Sequence, residues 1–212
     1  MKRDRTGATR APWWLVAVAA AFLAFIVVLL LSSLLRPEVA TFRPTDPAER
    51  APPTGLAGPD TVTLDARAGE GWIGLDLERR RAGPVAEMAE SWDLAAQRHR
   101  LAINGGEGFL GAAGVLASGE SFPTLAEAPG DIGGASRVTP GADTVNATLR
   151  DWYSYSFLSH LLEPKPVTYV IRTAEGRYAK LRILGYYCPG AEPGCVTVEY
   201  VYQGDGSRRL RR

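Results

Sequence analysis

Histidine, cysteine and methionine are scarce in this chain, whose 212 residues include two of each. So few imidazoles and thiols exclude the histidine-rich clusters that hold metal ions in many enzymes. The sequence also has no nucleophile elbow and no evident Ser-His-Asp arrangement, and nothing singles out a pair of acidic residues as catalytic. We therefore expect a protein that is not an enzyme.

A large excess of charge is also missing, because 24 basic and 23 acidic residues give a formal net charge of +1. The first 12 residues carry four basic and one acidic side chain, so the rest of the chain has a net charge of −2. A nearly neutral domain has no electrostatic basis for binding nucleic acid, and we expect no such partner. The exception is the basic run at residues 208–212, which is either a solvated tail or a contact for an acidic partner or lipid headgroups.

Charged side chains are absent from residues 13–35, where Ser32 and Ser33 are the only hydroxyls in an otherwise apolar run. At the rise of an α-helix this run spans roughly 35 Å, which is enough to cross the core of a bilayer. A cleavable signal peptide is the alternative, but its apolar core is shorter, about 7 to 15 residues. We expect a retained transmembrane helix that contacts the lipid bilayer through residues 13–35.

The residues that flank this helix predict its orientation. Basic residues that precede it outnumber those that follow it closely, namely Lys2, Arg3, Arg5 and Arg10 against Arg36 and Arg43. Because an excess of Lys and Arg stays on the cytoplasmic side, residues 1–12 are predicted to form a cytoplasmic stub. The remainder then lies in the periplasm of a bacterium, anchored in the inner membrane.

Residues 36–59 are rich in proline and are predicted to form a linker. Six prolines lie among alanine, threonine and arginine: Pro37, Pro44, Pro47, Pro52, Pro53 and Pro59. This composition favours an extended spacer, which reaches up to roughly 70 Å from the membrane or lies along a neighbouring surface. The remaining residues, 60–212, are numerous enough to form one domain with its own core.

The patterns in this domain are those of strands with long glycine-rich loops between them. Strands are expected at residues 61–64, 72–77 and 92–103, and in the third of these His99 shares a face with Leu101 and Ile103. Glycines are frequent from residue 105 to 140, which indicates irregular excursions from a β framework.

Three further strands are expected at residues 167–172, 178–187 and 196–203, forming an antiparallel meander. Between the last two, two Pro-Gly turns bring Cys188 and Cys195 towards each other across the hairpin. A metal site is the rival interpretation, but two cysteines with no histidine nearby supply too few ligands. We expect a disulfide in an oxidising compartment.

Aromatic residues are concentrated in residues 149–162. As a strand, this segment places Tyr153, Tyr155 and Phe157 on one face, whereas as a helix it groups Trp152, Tyr153, Ser156 and His160. Periodicity does not choose between the two. In either case an aromatic wall results, which belongs to the hydrophobic core or to a ligand pocket.

Several segments together resemble one known family. They are WDLA at residues 92–95 running on to INGG at 103–106, YVIRTAEGRYAKL at 169–181, the tyrosine pair at 186–187, and VEYVYQ at 198–203. Residues 60 to 206 are similar in these segments to the HmuY family of bacterial haem-binding envelope proteins. The resemblance implies a mainly antiparallel β domain that, in the founding type, binds haem between two axial histidines. Members are commonly lipoproteins or secreted, and the apolar helix of this chain departs from that pattern.

Haem would need imidazole ligands and an apolar slot, and the two histidines of the chain are His99 and His160. We take both as candidate haem ligands, with Tyr153, Tyr155 and Phe157 as the candidate pocket wall. The alternative function is that of a structural accessory subunit in an inner-membrane respiratory or photosynthetic complex. There the domain would be an interaction surface for other subunits.

Protease added to spheroplasts should remove residues 37–212, because the basic flank places them outside the cytoplasm. Immunoblotting against the domain, with a cytoplasmic protein as the control that stays intact, measures this. Protection of the domain in sealed spheroplasts would contradict the predicted orientation.

Overall fold

The computed structural model describes residues 12–34, 38–88, 90–138 and 144–212. The chain divides into two compact units, which we describe separately. The smaller unit holds the N-terminal helix and residues 156–161, and the larger holds residues 39–155 and 162–212. The predicted cytoplasmic stub, residues 1–12, lies outside the described residues except for its last residue.

Helix α1 spans Trp13–Leu34, and its segment Trp13–Ser32 is long and apolar enough to cross a membrane by length and composition. Large apolar side chains are exposed all around it; Phe22 and Leu30, for example, are 64% and 60% exposed. A helix that is apolar on every side fits a hydrocarbon environment better than water. The predicted end at residue 35 lies just beyond the described part of the helix.

Fourteen strands and one short helix follow in the described residues. The strands are β1 Leu56–Asp65, β2 Ile73–Asp76, β3 Arg81–Pro84, β4 Leu94–Gln97, β5 Arg100–Ile103, β6 Gly106–Glu107, β7 Gly114–Ser118, β8 Ser136–Val138, β9 Thr144–Asn146, β10 Tyr153–Tyr155, β11 Leu162–Pro164, β12 Thr168–Arg172, β13 Tyr178–Cys188 and β14 Glu192–Gln203. Helix α2 is Val85–Met88, and a 3-10 turn covers Pro189–Ala191.

The main sheet has the strand order β1-β14-β13-β12-β7, and every pair in it is antiparallel. The other described sheets are β3-β2-β4-β5, β6-β8-β9 and the pair β10-β11. The one parallel pair among the described strands is the short β6-β8. The predicted mainly antiparallel β fold, and the meander of its last three strands, are confirmed.

One face of the main sheet forms the centre of the core. Strand register places on this face a set of side chains that are all buried: Val62, Leu64, Val115, Tyr169, Ile171, Ala179, Leu181, Ile183, Val196, Val198, Tyr200 and Tyr202. Burial of each large apolar side chain contributes roughly 1.5 to 3 kcal/mol, so this face is a main source of the stability of the fold.

The opposite face of the main sheet is covered in part by the loop around Leu125 and by the last residues of the chain. Leu210 is buried in a cluster with Leu125 and Val170, and its amide donates to the Ala126 carbonyl at 2.7 Å. The Ala128 amide donates likewise to the Arg208 carbonyl at 2.7 Å. The basic run 208–212 is therefore anchored in the domain by its one leucine, while its four arginines are exposed. A contact of these arginines with an acidic partner or lipid headgroups stays a prediction.

The proline-rich residues 36–59 do not all stand apart from the domain. From Val39 onward they belong to the larger unit. The Thr45 amide donates to the Thr63 carbonyl at 3.1 Å, and the Thr63 amide donates to the Thr45 hydroxyl at 2.8 Å. Strand β1 begins at Leu56, four residues before the predicted start of the domain at residue 60.

Cys188 and Cys195 are joined by a disulfide with an S–S distance of 2.01 Å, which confirms the predicted pair. The bridge closes the connection between the two longest strands, β13 and β14.

The prediction of a single strand over residues 92–103 is wrong. The chain reverses at Arg98 and His99, so that β4 and β5 form a hairpin.

The buried carboxylate of Asp93 joins two sheets. One of its oxygens accepts the Leu77 amide at 2.9 Å and the other accepts the Ala174 amide at 2.8 Å, at the ends of β2 and β12 respectively. The residue is completely buried, and this burial raises its pKa well above the usual value in spite of the two hydrogen bonds.

Asp93→Asn should lower the free energy of unfolding by about 1 to 3 kcal/mol, because the new amide hydrogens oppose one of the two backbone donors. Because the pKa of Asp93 is raised in the folded state, the free energy of unfolding of the parent protein should decrease as pH rises above about 4. The Asn variant has no carboxyl group at this position and should lack this part of the pH dependence. Thermal unfolding at several pH values measures both effects. The exposed Asp131→Asn is the matched control; equal melting temperatures for the two variants would show that the bridge is unimportant.

Candidate functional site

His99 lies in the tight turn between β4 and β5, and its side chain is exposed. Its neighbour Arg98 has a left-handed backbone conformation, with φ of 55°. The turn is held in place because the Arg98 amide donates to the Ala66 carbonyl at 3.2 Å and its guanidinium donates to the Arg67 carbonyl at 2.8 Å. His99 is therefore not on the apolar strand face that the alternation predicts.

A second contact holds the turn from the other side. Trp152 is buried, and its indole N–H donates to the His99 carbonyl at 2.8 Å. The Trp152 ring packs edge-on against Tyr153 and Tyr186, with centroid distances of 5.0 and 5.8 Å. The backbone that carries the imidazole is therefore fixed by the core.

The His99 cleft, as we call it, has a volume of about 240 Å³. Its lining residues are His99, Arg100, Leu101, Thr144, Asn146, Arg150 and Tyr153. The ring of Tyr153 meets the imidazole edge-on at 5.9 Å, with the planes at 90°. The buried Asn146 is fully engaged in local structure, since it donates to the Gly134 carbonyl at 3.0 Å and accepts the Leu149 amide at 3.0 Å.

Partial burial of the ring in the cleft lowers the pKa of His99 below its usual value of about 6.5, and the charges of Arg100 and Arg98 lower it further. This shift favours the neutral imidazole, whose nitrogen lone pair is what binds metals. Arg100 and Arg150 line the same cleft with positive charge. The cleft combines a potential metal ligand with partners for carboxylates.

The structure brings His99 and Tyr153 together, but the other predicted site residues are arranged differently. Tyr155 lies in β10, pairs with Leu162 of β11, and is 43% exposed. Phe157 and His160 belong to the loop of residues 156–161 in the smaller unit, where the His160 amide donates to the Ser156 carbonyl at 2.8 Å. His160 is exposed and has a left-handed φ of 56°.

The segment 149–162 is neither one strand nor one helix. It consists of a turn that buries Leu149 and Trp152, strand β10, and the loop that leads to β11. The three predicted wall residues therefore do not share one face of a single element.

Four lining residues were missed by the sequence analysis: Arg100, Thr144, Asn146 and Arg150. They come from a hairpin, a short edge strand and a turn that are far apart in the chain. Their spacing carries no pattern, so only the fold brings them together.

The chain matches the model of the HmuY protein family over residues 131–200. The solved structure of an apo HmuY analogue from Tannerella forsythia superposes on it with a TM-score of 0.57 at 17% identity, covering 68% of this chain and 95% of the analogue. The domain is HmuY-like. None of the curated proteins matches the chain.

Two other solved structures share this fold. A Bacteroides vulgatus protein named as HmuY-like and haem-binding has a TM-score of 0.54 at 18% identity, with 73% of this chain and 96% of that one covered. A Bacteroides fragilis protein named as a lipoprotein has a TM-score of 0.54 at 19% identity, with coverages of 77% and 97%. At such low identities the likeness shows the fold, and the recognition of an HmuY-like domain from the sequence is confirmed.

Proposed function

We propose that this protein is a membrane-anchored, non-enzymatic haem-binding protein whose HmuY-like domain ligates the iron through His99. The observation that carries the proposal is the imidazole of His99, which lies edge-on to Tyr153 at a cleft that also contains arginines. The resemblance to haem-binding relatives supports the ligand class, and the apolar helix supports the anchor.

Three residues of the His99 cleft have separate roles in this proposal: His99, Arg100 and Arg150. His99 supplies a nitrogen lone pair to the iron, and the hydrogen bond from Trp152 to its carbonyl keeps the turn in position. Arg100 and Arg150 pair with the propionate carboxylates, since a guanidinium forms strong hydrogen bonds with carboxylates. The cleft, at about 240 Å³, is smaller than typical enclosed ligand sites, so much of the haem would remain exposed.

His160 is the other imidazole of the chain and belongs to the smaller unit, so we treat it as a separate candidate ligand. Its loop carries exposed apolar side chains beside it, Phe157 and Leu158. A single bound axial imidazole and a pair of them give different absorption spectra, so the two arrangements are distinguishable.

Titration of haem into the full-length protein in detergent should shift the Soret band and saturate at one haem per chain. His99→Ala should weaken binding by at least about tenfold, or 1.4 kcal/mol, because it removes the ligating nitrogen. His160→Ala should change the band position if it is the second ligand. Arg182→Ala, on the main sheet and outside the His99 cleft, is the control and should titrate like the parent.

Absence of a Soret shift in the parent protein would exclude haem binding. It would not affect the assignment of the HmuY-like fold. Unchanged binding by a folded His99→Ala protein would show that another residue is the ligand. Circular dichroism of each variant checks that the fold is retained.

The second candidate function is a structural subunit of an inner-membrane respiratory or photosynthetic complex. Phe157 and Leu158, adjacent in the loop of residues 156–161, are 83% and 87% exposed. Two consecutive large apolar side chains in contact with water favour a surface that another protein covers. The apolar helix keeps such a subunit in the membrane.

Native electrophoresis after mild detergent extraction tests this candidate, because a subunit should co-migrate with a large complex. Replacing Phe157 and Leu158 with serine should release the protein from that complex. Leu110→Ser is the matched control, since Leu110 is 79% exposed but lies in a different loop. A parent protein that runs no larger than a monomer with its micelle would rule the subunit function out.

A further inference from the structure

A second cleft lies on the side of the main sheet that the last residues of the chain partly cover. This tail cleft, as we call it, has a volume of about 430 Å³, within the range of small-molecule sites. Its floor is made by two neighbouring strands, because Lys180 of β13 is paired with Val201 of β14, and Arg182 with Glu199. It shares no lining residue with the His99 cleft.

The walls of the tail cleft are largely apolar. They are formed by Leu56, Pro59, Phe122, Pro123, Val201 and Leu210. Gly58 has a left-handed φ of 104°, and a Cβ there would lie 2.7 Å from the Tyr200 carbonyl oxygen. The bulge at Gly58 and Pro59 thus brings the edge strand close to the floor of the cleft.

Positive charge predominates among the polar groups of the tail cleft. Four cationic side chains line it, Lys180, Arg182, Arg211 and Arg212, against one acidic residue, Glu199. Glu199 is already engaged, because it accepts a hydrogen bond from Arg182 Nε at 2.6 Å. Within the described residues, no carboxylate forms an ion pair with the other three cations.

Lys180 is the most unusual of these cations, since it is only 3% exposed. Its ammonium has three donors, and in the described part of the chain one of them bonds to the Leu125 carbonyl at 2.7 Å. The ammonium also lies 5.2 Å from the centre of the Phe122 ring. A buried charge is costly unless an opposite charge or full hydrogen bonding compensates it, and here neither is complete.

The charged side chains around Lys180 make its buried ammonium still less favourable. Burial lowers the pKa of Lys180, and the neighbouring charge of Arg211 lowers it further, whereas Glu120 acts weakly in the opposite direction. An anion in the cleft would compensate both cations at once. Arg211 is held at the cleft because the residue before it, Leu210, is buried and hydrogen-bonded to Ala126.

We propose that the tail cleft binds a small amphipathic anion, in which a carboxylate or phosphate head contacts Lys180 and Arg211. The apolar body of the ligand packs against Phe122, Val201 and Leu210. An anion without an apolar part would leave these apolar walls exposed to water. A neutral apolar ligand would leave the charge of the buried ammonium uncompensated. The two features of the cleft are satisfied together only by a ligand that has both parts.

Isothermal titration calorimetry of the full-length protein in detergent tests the proposal with four probes. Octanoate and octyl phosphate have both head and tail, octanol lacks the charge, and acetate lacks the apolar body. Octanoate or octyl phosphate should bind at one site per chain, and the tighter of the two identifies the head. Octanol and acetate should give no saturable binding.

Variants of the parent protein locate the site. Lys180→Met should weaken binding by roughly tenfold or more, as expected for loss of a charged hydrogen bond. Arg211→Ala should weaken it by about two- to fivefold, the range of an exposed ion pair. Arg209→Ala is the matched control and should bind like the parent, because Arg209 belongs to the same tail but does not line the cleft.

Absence of binding by both charged probes would overturn the proposal, and so would octanol or acetate binding as tightly as the amphipathic probes. Equal binding by parent and Lys180→Met would also overturn it. If Lys180→Met does not fold, equal affinities of Arg211→Ala and Arg209→Ala have the same effect. Haem binding is a separate property, so His99→Ala should bind octanoate normally and Lys180→Met should keep the Soret shift.

Discussion

The pairing of β13 with β14 is the interaction on which most of this fold depends. These strands, of 11 and 12 residues, are the longest in the described chain, and the Cys188–Cys195 disulfide closes their connection. β1 pairs with β14, and β12 pairs with β13, so both halves of the main sheet are built on this hairpin. Its two faces have different roles: one carries the apolar core, and the other carries Lys180 and Arg182.

The His99 hairpin belongs to a different sheet and reaches the main sheet through few but well-defined contacts. Asp93 precedes β4 and accepts the Ala174 amide, which follows β12. Trp152 contacts the hairpin through its hydrogen bond to His99 and contacts β13 through the ring of Tyr186. The turn that carries the imidazole is therefore positioned by a carboxylate, an indole and the two hydrogen bonds of Arg98, rather than by strand pairing with the main sheet.

Sequence patterns identify the C-terminal half of the domain well, because strong turn signals such as Gly176 and the two Pro-Gly pairs separate alternating strands. They fail at the β4-β5 hairpin for a physical reason. Both strands are buried on both faces, so burial does not alternate, and the turn at Arg98 and His99 contains no glycine or proline. The division of residues 149–162 is equally hidden, since Trp152 is buried while the aromatic residues after it are not.

The sites were less predictable than the fold. His99 and Tyr153 were expected as site residues, but the arginines beside them come from positions without a pattern. From the sequence alone, Lys180 would be expected to be a solvent-exposed residue of a strand. In the structure it is buried by the loop at residues 121–125 and by the tail at residues 208–212. A residue buried by distant segments leaves no local signal in the sequence.

The contact between Trp152 and the His99 turn gives the protein an internal optical reporter. The indole is shielded from water, lies next to Tyr153 in the chain, and donates its N–H to the carbonyl of His99. Indole emission responds to changes in hydrogen bonding and polarity, and haem quenches it by energy transfer. The fluorescence of Trp152 will therefore register events at the neighbouring cleft, and it needs no attached dye.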